Sequence, residues 1–161
     1  MKDRLRKASL VVTGYRIERG KNLLARLEPN DERLYPLEGF VEFYIYTNQG
    51  TLHVKTAPPF FFDGRSGPKF LDWYAPNLGT LEEIICWLTH DANAYGLDLS
   101  FKDTNVLLYA MLRDLPKYRP TKATIIQLAV SIDSSWYGEP SPEDLYYANS
   151  GLVSTVWIPA A

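Results

Sequence analysis

Val41-Glu42-Phe43-Tyr44-Ile45-Tyr46 and Thr51-Leu52-His53-Val54-Lys55-Thr56, joined through Asn48-Gln49-Gly50, decide the fold. Val41, Phe43 and Ile45 alternate with Glu42, Tyr44 and Tyr46, the period of two that marks a half-buried strand. The second run alternates in the same way. A short glycine-containing connection between two such runs predicts an antiparallel hairpin. Pro58-Pro59 stops the second strand, because proline has no amide to give to a ladder.

Upstream of the hairpin, Ser9–Glu18 reads as a strand, with Gly14 a bend or bulge. Gly20-Lys21-Asn22 reads as a turn, and Leu23–Leu27 fits either a short strand or a helical turn. Pro29-Asn30-Asp31-Glu32 is loop chemistry. Downstream, Phe60-Phe61-Phe62-Asp63-Gly64-Arg65-Ser66-Gly67-Pro68-Lys69-Phe70-Leu71 joins a strand-like half to a helix-like half. Pro68–Trp73 predicts a short helix with proline in its first turn.

Thr80-Leu81-Glu82-Glu83 is a capping box opening a strong helix. Leu81, Ile84, Ile85, Leu88, Ala92 and Tyr95 share its apolar stripe, and Gly96 ends it. Ser100-Phe101-Lys102-Asp103 opens a second helix, with Val106, Leu107, Ala110 and Met111 facing the core and Pro116 at its end. Pro120 starts a third, in which Ile125, Leu128, Ala129, Ile132 and Trp136 follow helical spacing. Ser141–Tyr147 is a shorter helical piece. Leu152–Ile158 is a final strand or an apolar tail that docks on a neighbour. The expectation is one α+β domain spanning residues 1–161: an N-terminal antiparallel hairpin or small sheet followed by three to four packed α-helices.

Bulk composition narrows the class. Lys+Arg number 17 against Asp+Glu 19, for a formal net charge of -2. Nucleic-acid binding needs a basic surplus or patch, so no nucleic-acid partner is expected. Lys2, Arg4, Arg6 and Lys7 form a small basic group that reads as a solvated terminus. A single cysteine, Cys86, allows neither an intramolecular disulfide nor a cysteine zinc cage. No apolar run approaches the roughly 20 residues of a membrane helix. Ala8–Val12 is too short for a secretory signal. An unsecreted product without membrane insertion is expected. The 11 tyrosines and 4 tryptophans suit half-wet interfaces, so protein partners or self-association are expected.

The residues that could carry chemistry are few. His90 lies opposite the centre of its helix's apolar stripe and Asp91 beside it, so the two do not share one direction. A metal pair of His90 and Asp91 is one reading; a full metal centre would need further histidines, and the only other one is His53, in a strand. Asp103 is either a cap partner of Ser100 or an inward-facing carboxylate. Asp63 is a turn residue or a site carboxylate, and Ser66 an N-cap or a presented hydroxyl. Arg65 and Lys69 could receive an anionic ligand. Cys86, one turn before His90, is a packing residue or a thiolate partner. There is no Gly-x-Ser-x-Gly elbow, phosphate loop or dinucleotide fingerprint.

Val54–Phe70, with its Phe-Phe-Asp-Gly-x-Ser-x-Pro core, resembles the signature of the domain of unknown function 1353 family, small proteins of tailed bacteriophages and prophages. The resemblance continues through His90-Asp91, Tyr95, Asp103 and Trp136-Tyr137-Gly138. Arg65 and Gly67 depart from the family pattern, and no arginine stands shortly before Asp103. The resemblance implies phage origin, a place in the host cytoplasm or virion, and a polar cluster of Asp63, Ser66, His90, Asp91 and Asp103. It implies no reaction.

Two functions follow as expectations. One is a phage accessory or virion-associated protein acting through protein contacts, with that cluster as a structural network and no cofactor. The other is a small hydrolase, metal-assisted if a divalent ion is held by His90 and Asp91. A binder of a small anionic ligand is a third.

Overall fold

The computed structural model describes residues 3–28, 34–62, 78–96, 98–118, 121–126 and 150–161. The architecture is α+β. Among the described residues, a 3-10 turn at Lys7–Ser9 is followed by β1 (Val12–Arg19), α1 (Lys21–Ala25), β2 (Tyr35–Leu37), β3 (Val41–Thr47), β4 (Gly50–Thr56), β5 (Phe60–Phe62), α2 (Leu81–Gly96), α3 (Phe101–Arg113) and β6 (Val153–Pro159). Residues 121–126 are also helical. Leu23–Ala25, in the segment open to two readings, are therefore helical, and the helix begins at Lys21, within the stretch expected as a turn.

The predicted hairpin forms the centre of a four-stranded antiparallel sheet of order β1-β3-β4-β6. Its tip is closed by Thr47, whose hydroxyl donates to the Gly50 carbonyl at 2.7 Å and accepts the Gln49 and Gly50 amides at 3.1 and 3.0 Å. β1 carries a register shift between Val12 and Gly14, the bulge expected there. The C-terminal segment is a strand of this sheet, so the sheet is not wholly N-terminal: β6 pairs along β4 from Gly50↔Pro159 to Thr56↔Val153. β2 and β5 form a separate antiparallel ribbon, with Tyr35 and Phe62 rings 5.6 Å apart. Pro58-Pro59, joined by a cis peptide, lies between β4 and β5.

Strand alternation gives the sheet two unlike faces. The inner face carries Phe43, Ile45, Leu52, Val54, Val153 and Trp157, all buried. The register places three rows on the outer face: Gly14–Tyr46–Thr51–Ile158, Arg16–Tyr44–His53–Val156 and Arg19–Glu42–Lys55–Ser154.

α2 spans the inner face from one sheet edge to the other. Near its start, Tyr15 of β1 donates to Glu82 at 3.2 Å. Just past its end, Asp98 accepts the Trp157 amide of β6 at 2.5 Å. α3 packs beside α2. With neighbours on several sides, every residue of α2 from Glu83 to Asn93 is buried. The apolar stripe seen in the sequence is thus one of several buried faces, and His90, opposite its centre, is buried too. Ile125 goes the other way: it is 42% exposed while Ile126 is fully buried.

Candidate functional site

His90 and Asp91 are held on α2 against α3. His90 is 3% exposed, and its Nε2 lies 3.0 Å from Oδ1 of Asn105 on α3. With the amide oxygen facing the ring, Nε2 carries the hydrogen. Asp91 is 8% exposed, and its Oδ1 stands 3.8 Å from His90 Nδ1. That separation suits an ion pair with a protonated imidazole but exceeds hydrogen-bond length. His90, Asp91 and Asn105 therefore form one buried contact between the two helices.

Asp103 is placed elsewhere. It is fully buried, and its carboxylate accepts the backbone amides of Arg4 at 2.6 Å and Leu5 at 3.0 Å. The Ser100 cap is present, its hydroxyl accepting the Asp103 amide at 3.1 Å. The side chain of Asp103 does not close that box; it serves the chain start instead. Asp63, Arg65, Ser66 and Lys69 lie outside the described residues.

Cys86 is buried, and burial, followed by the charge of Glu83, pushes its thiol far up. A thiol so raised stays protonated near neutral pH, so Cys86 acts as a packing residue. Among the described residues no group of three or more histidine, cysteine, aspartate or glutamate side chains is placed to hold a metal. His90 with Asp91 supplies two donors, short of the four of a closed structural site.

A further buried carboxylate, which the sequence marks only as part of a cap, is Glu83. Glu83 is 2% exposed and accepts a short hydrogen bond from the Tyr118 hydroxyl. Lys117 Nζ stands 3.4 Å away, and the Thr80 amide and hydroxyl each reach Oε1 at 3.4 Å. Gly79, at φ +77, leaves the space that the carboxylate occupies: a Cβ there would lie 2.5 Å from Glu83 Oε2. The indole of Trp87 donates to the Leu78 carbonyl at 3.1 Å and meets Tyr118 edge-on at 6.2 Å. This cluster binds the start of α2 to the turn after α3.

Asn93, Thr56 and Thr155 were also missed. Their buried side-chain polar atoms have no hydrogen-bond partner among the described residues. Such atoms are usual seats for internal water. The one cue to Asn93 in the sequence is its polarity at a position that α2 buries.

The outer face of the sheet is built differently. Tyr44 and His53 stack 4.2 Å apart at 4°, and Tyr44 and Tyr46 lie parallel at 6.2 Å. The Arg16 guanidinium stands 5.0 Å over Tyr44, and His53 Nε2 lies 2.7 Å from Glu42. Beside this aromatic row, Val156 and Ile158 are 46% and 51% exposed.

No family model, curated protein or solved structure matches this chain. No helix among the described residues is long and apolar enough to cross a membrane.

Proposed function

We propose that this protein works through protein–protein contacts, as a phage accessory or virion-associated protein of the kind the domain of unknown function 1353 resemblance implies, and that its buried polar residues are structural. The observation that carries this reading is the outer sheet face. It presents an ordered aromatic row flanked by the exposed aliphatic side chains of Val156 and Ile158. Aromatic and aliphatic side chains at the centre of a rigid surface are what protein interfaces bury. Its charges are mixed in sign: Arg16 holds Glu18 at 2.6 Å, and Lys55 lies 3.9 Å from Glu42. That mixture favours a protein partner or a second copy over a polyanion.

The polar residues on which a hydrolase would draw support the same reading. Asp103 serves two backbone amides, and His90 faces Asn105 within the helix pair. Lysine substitution at both Val156 and Ile158 tests the reading by sedimentation velocity over a concentration series. The contact reading expects the wild-type chain to associate as concentration rises. It expects the V156K/I158K chain to stay monomeric with an unchanged melting temperature. Identical sedimentation of the two chains would count against it.

A further inference from the structure

Residues 3–11 are held in the manner of a bound peptide. Side chains from the hairpin tip and from α3 read their backbone nearly residue by residue. Asp103 accepts the amides of Arg4 and Leu5. The Gln49 carboxamide grips Arg6 at both ends, accepting its amide at 2.9 Å and donating to its carbonyl at 2.9 Å. The Asn48 carboxamide bridges two residues further along, donating to the Ser9 carbonyl at 2.7 Å and accepting the Val11 amide at 2.9 Å. Arg113 donates to the Leu10 carbonyl at 2.7 Å.

Carboxamides that pair with both the N–H and the C=O of a segment recognise backbone, whatever side chains it bears. Specificity comes from two anchors and from charge. Leu5 and Leu10 are 8% and 1% exposed. Asp3 meets the Ser100 hydroxyl at 2.8 Å and Lys102 at 3.3 Å, and Arg4 meets Asp98 at 3.6 Å. Lys7 stands 4.7 Å over the Tyr109 ring. The segment carries three cations and one carboxylate in a chain of net charge -2, so it is complementary to the body it lies on.

We propose that this surface is a peptide groove, filled in this structure by the chain's own residues 3–11, and that it also takes the same segment from a second copy. It is a further binding site, distinct from the outer sheet face and independent of it. The occupant is a net-basic segment, extended except for a 3-10 turn at Lys7–Ser9, with an acidic first residue and leucines at its third and eighth positions. A tethered segment competes at an effective concentration of about millimolar. Exchange between copies therefore needs the tethered contact to be weakened or the protein to be concentrated.

The test uses a fluorescent synthetic peptide of residues 3–11 and three full-length chains: wild type, R4P/R6P, and R4P/R6P with Asp103→Asn. The prolines delete two of the three amides that Asp103 and Gln49 read, those of residues 4 and 6, while leaving the groove intact. Fluorescence anisotropy should show saturable binding to R4P/R6P, at least tenfold weaker binding once Asp103→Asn is added, and none to wild type at the same concentration. The proposal is overturned if folded R4P/R6P does not bind the peptide, or if Asp103→Asn leaves binding unchanged. It is equally overturned if R4P/R6P does not fold, since residues 3–11 would then be part of the fold rather than an occupant.

Discussion

Gly50 lies directly beneath the indole of Trp157, where a Cβ would stand 2.5 Å from Cζ2. The contact joins the first residue of β4 to the C-terminal strand that pairs with it. It lets Trp157 lie 5% exposed on a sheet whose central hairpin comes from the middle of the chain. A Cβ on Gly50 would also stand 2.5 Å from the Ile158 carbonyl oxygen, so Gly50→Ala should displace β6 as well as the indole and cost about 3 kcal/mol, the upper end of the usual overpacking penalty. Urea unfolding followed by tryptophan fluorescence measures this directly. A loss below about 0.5 kcal/mol would mean that β6 is not seated on Gly50.

Tyr118→Phe removes the hydroxyl that donates to the buried Glu83 carboxylate. The nearby Lys117 side chain is 52% exposed, so solvent weakens its compensation. Losing a donor to a buried acceptor costs about 1–3 kcal/mol. The same denaturation assay should show that loss with an unchanged denaturant slope.

These two sites show how far the sequence could be read. The hairpin was legible because Val41, Phe43 and Ile45 alternate and Gly50 marks the turn, and both signals are local. The starts of α2 and α3 were legible because Thr80 and Ser100 stand three residues before an acidic partner. Leu152–Ile158 was legible as apolar and extended, but its pairing with β4 is a contact across about a hundred residues and leaves no local mark. For the same reason nothing predicted that Asp103 would turn from its own helix to the amides of Arg4 and Leu5. Met1–Lys7 read as a solvated terminus from its charge, yet Leu5 within it is buried. The burial of His90 opposite the apolar stripe follows from α2 being packed on several sides, which periodicity on one helix cannot report.

Acid should loosen the strap. The hydrogen bond from Ser100 holds the Asp3 carboxyl below its ordinary value of 3.8, with Lys102 acting in the same direction. A carboxyl lowered by folding contributes stability above its unfolded value and loses it as pH falls through the folded one. The Asp3 carboxyl, followed by NMR as pH falls, should titrate below its ordinary value, and Ser100→Ala should return it toward that value. An Asp3 carboxyl titrating at or above the ordinary value in the wild-type chain would contradict that assignment.

Cys86 should be inert in the folded protein. Its thiol is buried and pushed far up. An aromatic disulfide reagent at pH 8 should label it only at the rate of unfolding, and fully in denaturant. Rapid labelling of the native chain would reopen the pairing of Cys86 with His90.

The central claim is that the buried polar residues serve the protein's own backbone rather than a reaction, and Asp103 tests it most directly. Asp103→Ala deletes an acceptor of two backbone amides at 2.6 and 3.0 Å, one of them buried. Hydrogen bonds to a charged acceptor contribute about 1.5–3 kcal/mol each. The unfolding free energy of Asp103→Ala should fall by about 3 kcal/mol, with Ser100 still capping α3 through the backbone. A variant as stable as wild type would contradict the account, because Asp103 would then be kept for something other than structure.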